Sequence, residues 1–153
     1  MFVKDCMLKN VCTISADDTL ENAIELMVEK KTNGLVVIDE KKEIVGTLSS
    51  FAIAKSIVPD FLKDDPNSSI YETEGIFDKY VKESSGAKVS EVMYKDVHVL
   101  THDDAMIEAA SFSAHADHRM MPVVKKGTNE IVGIVTRTSI KNACFNALKK
   151  KSW

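Results

Sequence analysis

No stretch of this 153-residue chain is apolar over anything near the length of a membrane span, and its opening, MFVKDCMLKN, lacks the form of a signal peptide. A cytoplasmic protein with no membrane partner is the expectation. Cysteine is scarce: Cys6, Cys12 and Cys144 show no metal-ligand spacing, and an odd number in a chain without a signal peptide reads as reduced thiols. Positive charge is not in excess. Lys plus Arg is 20 against 23 for Asp plus Glu, a net charge of −3, which excludes a dedicated nucleic-acid binder with its basic face. Catalytic phrases are missing too. There is no Walker-type or GxGxxG loop, and no nucleophile stands in a motif with its base, so no enzyme is expected. What is present, 44% apolar and 28% charged residues, is ordinary for a globular protein of one compact domain or two small halves sharing a core.

The chain repeats itself. VKDCM at residues 3–7 matches VSEVM at 89–93, and NVCTISADDTL at 10–20 matches DVHVLTHDDAM at 96–106. GLVVIDE from Gly34 matches MMPVVKK from Met120 at the same offset, and EIVGTLSS from Glu43 matches EIVGIVTR from Glu130 after one added residue. Matching elements in one order at one offset mark an internal duplication.

Each copy reads as strand, helix, strand, strand, helix. In the first, a short strand over 11–14 is followed by Asp18 as helix N-cap with Glu21 three residues on, the capping-box spacing. Leu20, Ala23, Ile24 and Met27 form one apolar helical face, and Asn33-Gly34 is the expected left-handed stop. Strands LVVI and IVGTL flank a polar turn over 39–43, and a helix over 51–58 ends before Pro59. The second copy predicts strand 97–100, helix 105–116, strands 121–124 and 131–135, and helix 138–150. The domain division expected is 1–58 for the first repeat with its lead-in, 59–88 for a connector and 89–153 for the second repeat. In the connector DDPNSS reads as a loop. IYETEGIFDKYVKE reads as a short helix with Ile76, Phe77, Tyr80 and Val81 on one side. It serves either as packing over the core or as a docking element.

These phrases together resemble the CBS domain, named after cystathionine β-synthase, and two in tandem resemble a CBS pair, or Bateman module. The resemblance covers both repeats. It implies an α+β fold of two pseudo-twofold-related βαββα repeats packed through their small sheets, with two related clefts. Clefts of this kind bind AMP, ADP, ATP or S-adenosylmethionine in many members and regulate an attached or separate protein. No cofactor is required.

In the family a hydroxyl, followed three residues later by aspartate, stands where the third strand enters the last helix. The hydroxyl and helix N-terminus face phosphate, and the aspartate faces ribose. Here the hydroxyls are Ser49 and Thr136, and the aspartate positions hold Ala52 and Ser139. By analogy one cleft combines Asn10, Cys12, Thr32, Asn33 and Gly34 with Thr136 and Ser139. The other combines Asp96, His98, His118, Arg119 and Met120 with Ser49 and Ala52. HADHRMMPVV also resembles the family's HR–x–PVV phrase, with one extra methionine before the proline.

Arginine carries a separate signal. The chain's two arginines, Arg119 and Arg137, both fall at cleft-side positions of the second copy, opposite Asn33 and Ser50 in the first. A guanidinium fork suits phosphate, whereas lysine suits a solvated surface, so the pair reads as an anion site. The alternative is pairing with carboxylates. His115 and His118 flank Asp117, but too few ligands accompany them for a metal site, and none is expected. Lys149, Lys150 and Lys151 complement a helix C-terminus. Of Met120 and Met121, at least one is assigned to core packing. The expected function is a regulatory module sensing an adenosine-type ligand, with a homodimer and a separate regulated protein as possible partners. The alternatives are a structural or dimerisation module with degenerate clefts, and a binder of a different phosphate-bearing anion held without the ribose contact.

Overall fold

The computed structural model describes residues 1–71, 74–115 and 118–150, with the side chains of residues 70 and 71 left aside. Expectations at Glu72, Thr73, Ala116, Asp117 and Lys151 lie outside the described residues. The elements in chain order are β1 (Thr13–Ser15), α1 (Leu20–Lys30), β2 (Gly34–Ile38), β3 (Ile44–Ser49), α2 (Ser50–Ile57), α3 (Asp60–Asp64), α4 (Ile76–Ser84), α5 (Val89–Val92), β4 (Leu100–Thr101), α6 (Met106–Ala114), β5 (Met120–Val124), β6 (Ile131–Thr136) and α7 (Arg137–Lys149). Short 3-10 turns occupy Val3–Asp5 and Pro66–Tyr71. The class is α+β, with two three-stranded sheets of order β1-β2-β3 and β4-β5-β6. In each, the first strand runs parallel to the second and the second antiparallel to the third, with an irregularity at the matching step, Val37/Ile38 and Val123/Val124.

The chain divides into two compact units. Unit 1 is Met1–Cys12 with Lys95–Trp153, and unit 2 is Thr13–Tyr94. These units and the sequence repeats partition the chain differently, for a reason visible in the glycine of each EIVG phrase. A Cβ at Gly133 would lie 2.6 Å from Met7 Sδ and 2.9 Å from the Leu8 carbonyl. A Cβ at Gly46 would lie 2.5 Å from Met93 Sδ and 2.8 Å from the Tyr94 carbonyl. Only glycine admits the lead-in so closely. Backbone hydrogen bonds fasten it there: Leu8 N–H to Ile134 O at 2.8 Å with the reverse at 2.9 Å, and Thr47 N–H to Tyr94 O at 3.0 Å with the reverse at 2.9 Å. The lead-in of the first repeat is thus held by a strand of the second, and the lead-in of the second by a strand of the first.

Core formation follows the periodicity. In unit 2, Leu20, Ala23 and Met27 of α1 and nearly all of β2 are buried. In unit 1, Val3, Cys6, Leu100, Met106, Ala109, Met121, Val123, Val135 and Ala143 form one cluster, with Val3 and Cys6 supplied by the lead-in.

Several element ends differ from expectation. The N-cap of α1 is Thr19, whose Oγ accepts the Asn22 N–H at 3.2 Å. Asp18 instead accepts from the Thr19 N–H and the Asn22 amide. The helix stops at Lys31, itself left-handed at φ 52°, because Gly34 is already extended and paired with Ser49 in the sheet. The first strand of each repeat lies later than predicted, at Thr13–Ser15 and Leu100–Thr101, since the parallel partner fixes it there. The predicted DDPNSS loop contains the end of α3 and a 3-10 turn. The predicted connector helix begins only at Ile76, after Gly75 at φ 89°. Ile76, Tyr80 and Val81 are half-buried, but Phe77 is 65% exposed and does not share their side. The connector covers part of unit 2, with Leu62 buried and Ser84 Oγ donating to Ser56 O at 3.2 Å.

Candidate functional site

In unit 1 the pairing of Met120 with Thr136 brings together the positions that precede β5 and follow β6. Arg119 and Arg137 therefore adjoin at one end of the sheet, where α7 begins. Both are exposed, and Arg137 makes no ion pair with a carboxylate among the described residues. The first turn of a 13-residue helix adds unpaired N–H groups and the positive end of its dipole. Two guanidinium groups beside such an end suit an anion, phosphate above all. Met120 and Met121 are both buried, at 8% and 0% exposure, and Met121 belongs to the core cluster.

Ser139 has a different role from the one its position implies. It is fully buried, and its Oγ accepts the Thr136 N–H at 3.1 Å, closing the start of α7. A hydroxyl so placed caps the helix rather than facing solvent. Asn10 and Cys12 belong to the same unit as Thr136 and Ser139, Asn10 exposed and Cys12 half-buried.

His98 and His118 gather around a ring that sequence reasoning passed over. His98 stacks on Phe112 with ring centroids 3.4 Å apart and an interplanar angle of 14°. His118 stands edge-on to both, at 6.0 Å and 5.8 Å, with His115 at 5.6 Å from it. His98 Nε2 lies 3.7 Å from Glu108 Oε1, and it is buried without a hydrogen-bond partner among the described residues. His118 Nε2 lies 3.9 Å from Asp96 Oδ2. The available signal was helical spacing, since Phe112 lies one turn beyond Glu108 on α6. Among the described residues no group of three or more His, Cys, Asp or Glu side chains is disposed to hold a metal ion.

Unit 2 presents the same backbone with neutral contents. Gly34 pairs with Ser49, so Asn33 and Ser50 occupy the places of the two arginines. They satisfy each other: Ser50 N–H donates to Asn33 O at 3.0 Å and Ser50 Oγ to the same oxygen at 3.4 Å. Ser49 Oγ accepts the Ala52 N–H at 3.2 Å as the N-cap of α2, and Ala52 is buried at 4% exposure. Thr32 Oγ donates to Gly34 O at 3.1 Å. A hollow of about 450 Å³ opens between α1 and α2, lined by Ile24, Met27, Val28, Lys31, Thr32, Asn33, Ser50 and Ile53. Two further hollows lie between a lead-in and the helix after the third strand. One of about 410 Å³ in unit 1 includes Asp5, Cys6, Asn142 and Asn146, and one of about 220 Å³ in unit 2 includes Ala52, Lys55 and Lys63.

The predicted residues thus fall in two groups. Asn10, Cys12, Asp96, His98, His118, Arg119, Met120, Thr136, Arg137 and Ser139 belong to unit 1, and Thr32, Asn33, Gly34, Ser49 and Ala52 to unit 2.

One electrostatic feature ties the lead-in to unit 1. Lys4 Nζ donates to Asp103 Oδ1 at 3.1 Å. That bond, aided by His102 and Lys126, holds the Asp103 carboxyl below the usual carboxylate range. No helix is long and apolar enough to cross a membrane among the described residues.

Comparison with known proteins agrees with this architecture. The CBS domain family model matches residues 3–59 and 89–146. The chain is 26% identical over 143 residues to the chloroplastic CBS domain-containing protein CBSX2 of Arabidopsis thaliana, covering 90% of this chain and 60% of that protein. It is 29% identical over 140 residues to a homoserine O-acetyltransferase of Methanosarcina acetivorans, covering 92% of this chain but only 21% of that enzyme. The chain thus spans less than two thirds of the length of these relatives. Among solved structures, CBSX2 superposes with a TM-score of 0.74 at 23% identity, covering 98% of each chain. CBSX2 in complex with AMP gives 0.66 at 23% identity, covering 97% and 98%. The CBS domain pair of protein MJ0100, in complex with 5-methylthioadenosine and S-adenosyl-L-methionine, gives 0.67 at 21% identity, covering 97% and 98%. With both repeats matched and the paired βαββα sheets in place, the chain belongs to the CBS domain family, as a tandem pair.

Proposed function

We propose that this chain is a regulatory module that binds an adenosine-type nucleotide, AMP, ADP, ATP or S-adenosylmethionine, and reports its occupancy to another protein. One observation carries the reading: Arg119 and Arg137 meet at one sheet end of unit 1, at the start of α7. The adenosine ligands of CBSX2 and MJ0100 support the ligand class. The anion end of the ligand lies against Arg119, Arg137 and Thr136. In unit 1 Asn10, Cys12, Asp96, His98, His118, Met120 and Ser139 complete the proposed set, and in unit 2 the proposed ligand-facing residues are Thr32, Asn33, Gly34 and Ser49. Binding transmits a signal only if the ligand favours one arrangement of the protein over another. The module acts as a homodimer in the cytoplasm, on a separate regulated protein.

Thermal unfolding against AMP, ADP, ATP, S-adenosylmethionine, NAD and inorganic phosphates tests the proposal. A ligand at a hundred times its Kd adds about 2.7 kcal/mol, a rise in Tm of roughly 5–10 °C for a domain of this size. Arg137→Ala removes the rise for phosphate-bearing ligands. A well-folded protein that shifts with none of them would instead support a second reading, a structural or dimerisation module with degenerate clefts. The burial of Ala52 and of the capping Ser139 favours that reading, since neither offers a ligand an exposed acceptor. A ligand that binds equally without its ribose hydroxyls identifies a third case, an anion held without the sugar contact.

A further inference from the structure

All four histidines of the chain, His98, His102, His115 and His118, stand in its second copy. Three of them, with Phe112, make up the ring cluster of unit 1, and two of those three face a carboxylate. His98 Nε2 is buried without a hydrogen-bond partner among the described residues, 3.7 Å from Glu108 Oε1. His118 is buried too, and its Nε2 lies 3.9 Å from Asp96 Oδ2. Both distances are too long for a hydrogen bond. A buried nitrogen without a partner is uncommon and calls for a cause. Here a carboxylate waits within one small side-chain movement of each ring.

Protonation supplies what is missing. An imidazolium donates from both nitrogens, so His98 gains a charge-assisted bond to Glu108 and His118 one to Asp96. Phe112 favours the same state, because its ring face, stacked 3.4 Å from the His98 ring, attracts a cation. Among the described residues the other charged or titratable neighbours are His115, exposed at the end of α6 with its ring 5.6 Å from His118, and Arg119, next in the chain. The first copy has no such cluster. Its positions matching Asp96, His98, Glu108, Phe112 and His118 hold Asn10, Cys12, Asn22, Leu26 and Thr32, with neither imidazole nor carboxylate. The imidazoles and the two arginines thus occur together in the second copy and are both missing from the first.

We propose that His98, Phe112 and His118 form a proton switch that sets the strength of the anion site at Arg119 and Arg137. Imidazole takes up a proton between about pH 8 and about pH 5. In the protonated state His98 closes on Glu108 and holds the segment over 94–99 to α6. Protonated His118 adds a positive charge one residue from Arg119. Asp96 offsets that charge only in part, since its side chain is 77% exposed and its field is screened. A phosphate-bearing ligand binds the protonated state more tightly, and by linkage its binding draws protons onto the protein. The proposal rests on the anion reading of the two arginines and gives that site its regulation: the module reads a phosphate-bearing ligand and acidity together.

Two measurements test this. In the free protein, NMR spectra followed from about pH 8 to about pH 5 should show the ring signals of His98 and Phe112 moving together, with the His98 response weakened by Glu108→Gln. Phe112 signals that stay fixed while His98 titrates, or a His98 response indifferent to Glu108→Gln, overturn the switch. Calorimetry with AMP reads the coupling. Affinity should rise about fivefold from about pH 8 to about pH 6, more than neutral adenosine shows, with heats that differ between buffers as protons are taken up. The phosphate's own titration is common to every variant and cancels when each is compared with wild type. His118→Gln should remove the rise. Glu108→Gln, at an exposed position outside the proposed ligand set, should leave affinity at about pH 8 unchanged and reduce the rise, and it carries the test if His118→Gln does not fold. Equal affinity at both pH values, or a rise that survives these substitutions, overturns the coupling. AMP that binds at no pH overturns the nucleotide reading instead, and the spectra of the free protein then decide the switch by themselves.

Discussion

Unit 1 and unit 2 carry one backbone plan and two chemistries. Both hold a lead-in against a strand glycine, both pair the first residue of the middle strand with the last of the third, and both start a helix directly after it. At that shared point unit 1 places Arg119 and Arg137, while unit 2 places Asn33 and Ser50, which bond to each other. The comparison teaches that features fixed by backbone approach have been kept in both copies, whereas side chains that face outward have diverged. A glycine that admits a carbonyl has no substitute, but an exposed position tolerates either an arginine or a serine.

The largest expected effect breaks the shared part. Gly133→Ala and Gly46→Ala each drive a Cβ into a lead-in carbonyl that cannot swing away. Overpacking of this kind costs about 3 kcal/mol, and equal losses of Tm in the two variants would bear out the equivalence. Next, Arg137→Ala against Ser50→Ala sharpens the difference between the units. A lost bond to a charged group is worth about 2 kcal/mol, so titration calorimetry with AMP should show affinity falling more than tenfold for the first and unchanged for the second. Smaller again is Ser139→Ala, which leaves the Thr136 N–H without its acceptor and costs about 1 kcal/mol by chemical denaturation. Ala52→Ser, at the matching position of α2, should not produce a loss of that kind.

The smallest effect concerns the lead-in ties. Asp103 has its pKa lowered by Lys4, so its contribution is present above the unfolded carboxylate value and is lost as pH falls through the folded one. Both partners are exposed, so Asp103→Asn should have little effect on stability at neutral pH, as chemical denaturation would show. It should also flatten the acid limb of the stability profile. The corresponding tie in unit 2, Lys88 to Asp17 at 4.0 Å, is longer, and Asp17→Asn should change less still.

Much of this was legible in the residues. The duplication placed the three strands of each sheet and helices α1, α2, α6 and α7, but not α3 or α5, and the α1 face of Leu20, Ala23 and Met27 is buried as its spacing requires. Ends were less legible. Thr19 rather than Asp18 caps α1: the adjacent residues both offer a capping oxygen, and that of Asp18 is engaged by the Thr19 N–H and the Asn22 side-chain amide. Of the candidate site, the two arginines were visible because they are the chain's only ones. The imidazole cluster was not, since Phe112 reads as an ordinary helix residue until His98 lies flat against it.

By itself the sequence determined the tandem repeat, the family and the α+β class, because each is a pattern among near neighbours or a count. Only the tertiary structure decided which strand receives each lead-in, that Ser139 turns its hydroxyl inward, and that Arg119 adjoins Arg137. Those outcomes depend on contacts such as Leu8 with Ile134 and Met120 with Thr136. Groups far apart along the chain meet only after the sheets have set their register, and local propensity carries no information about which partner arrives.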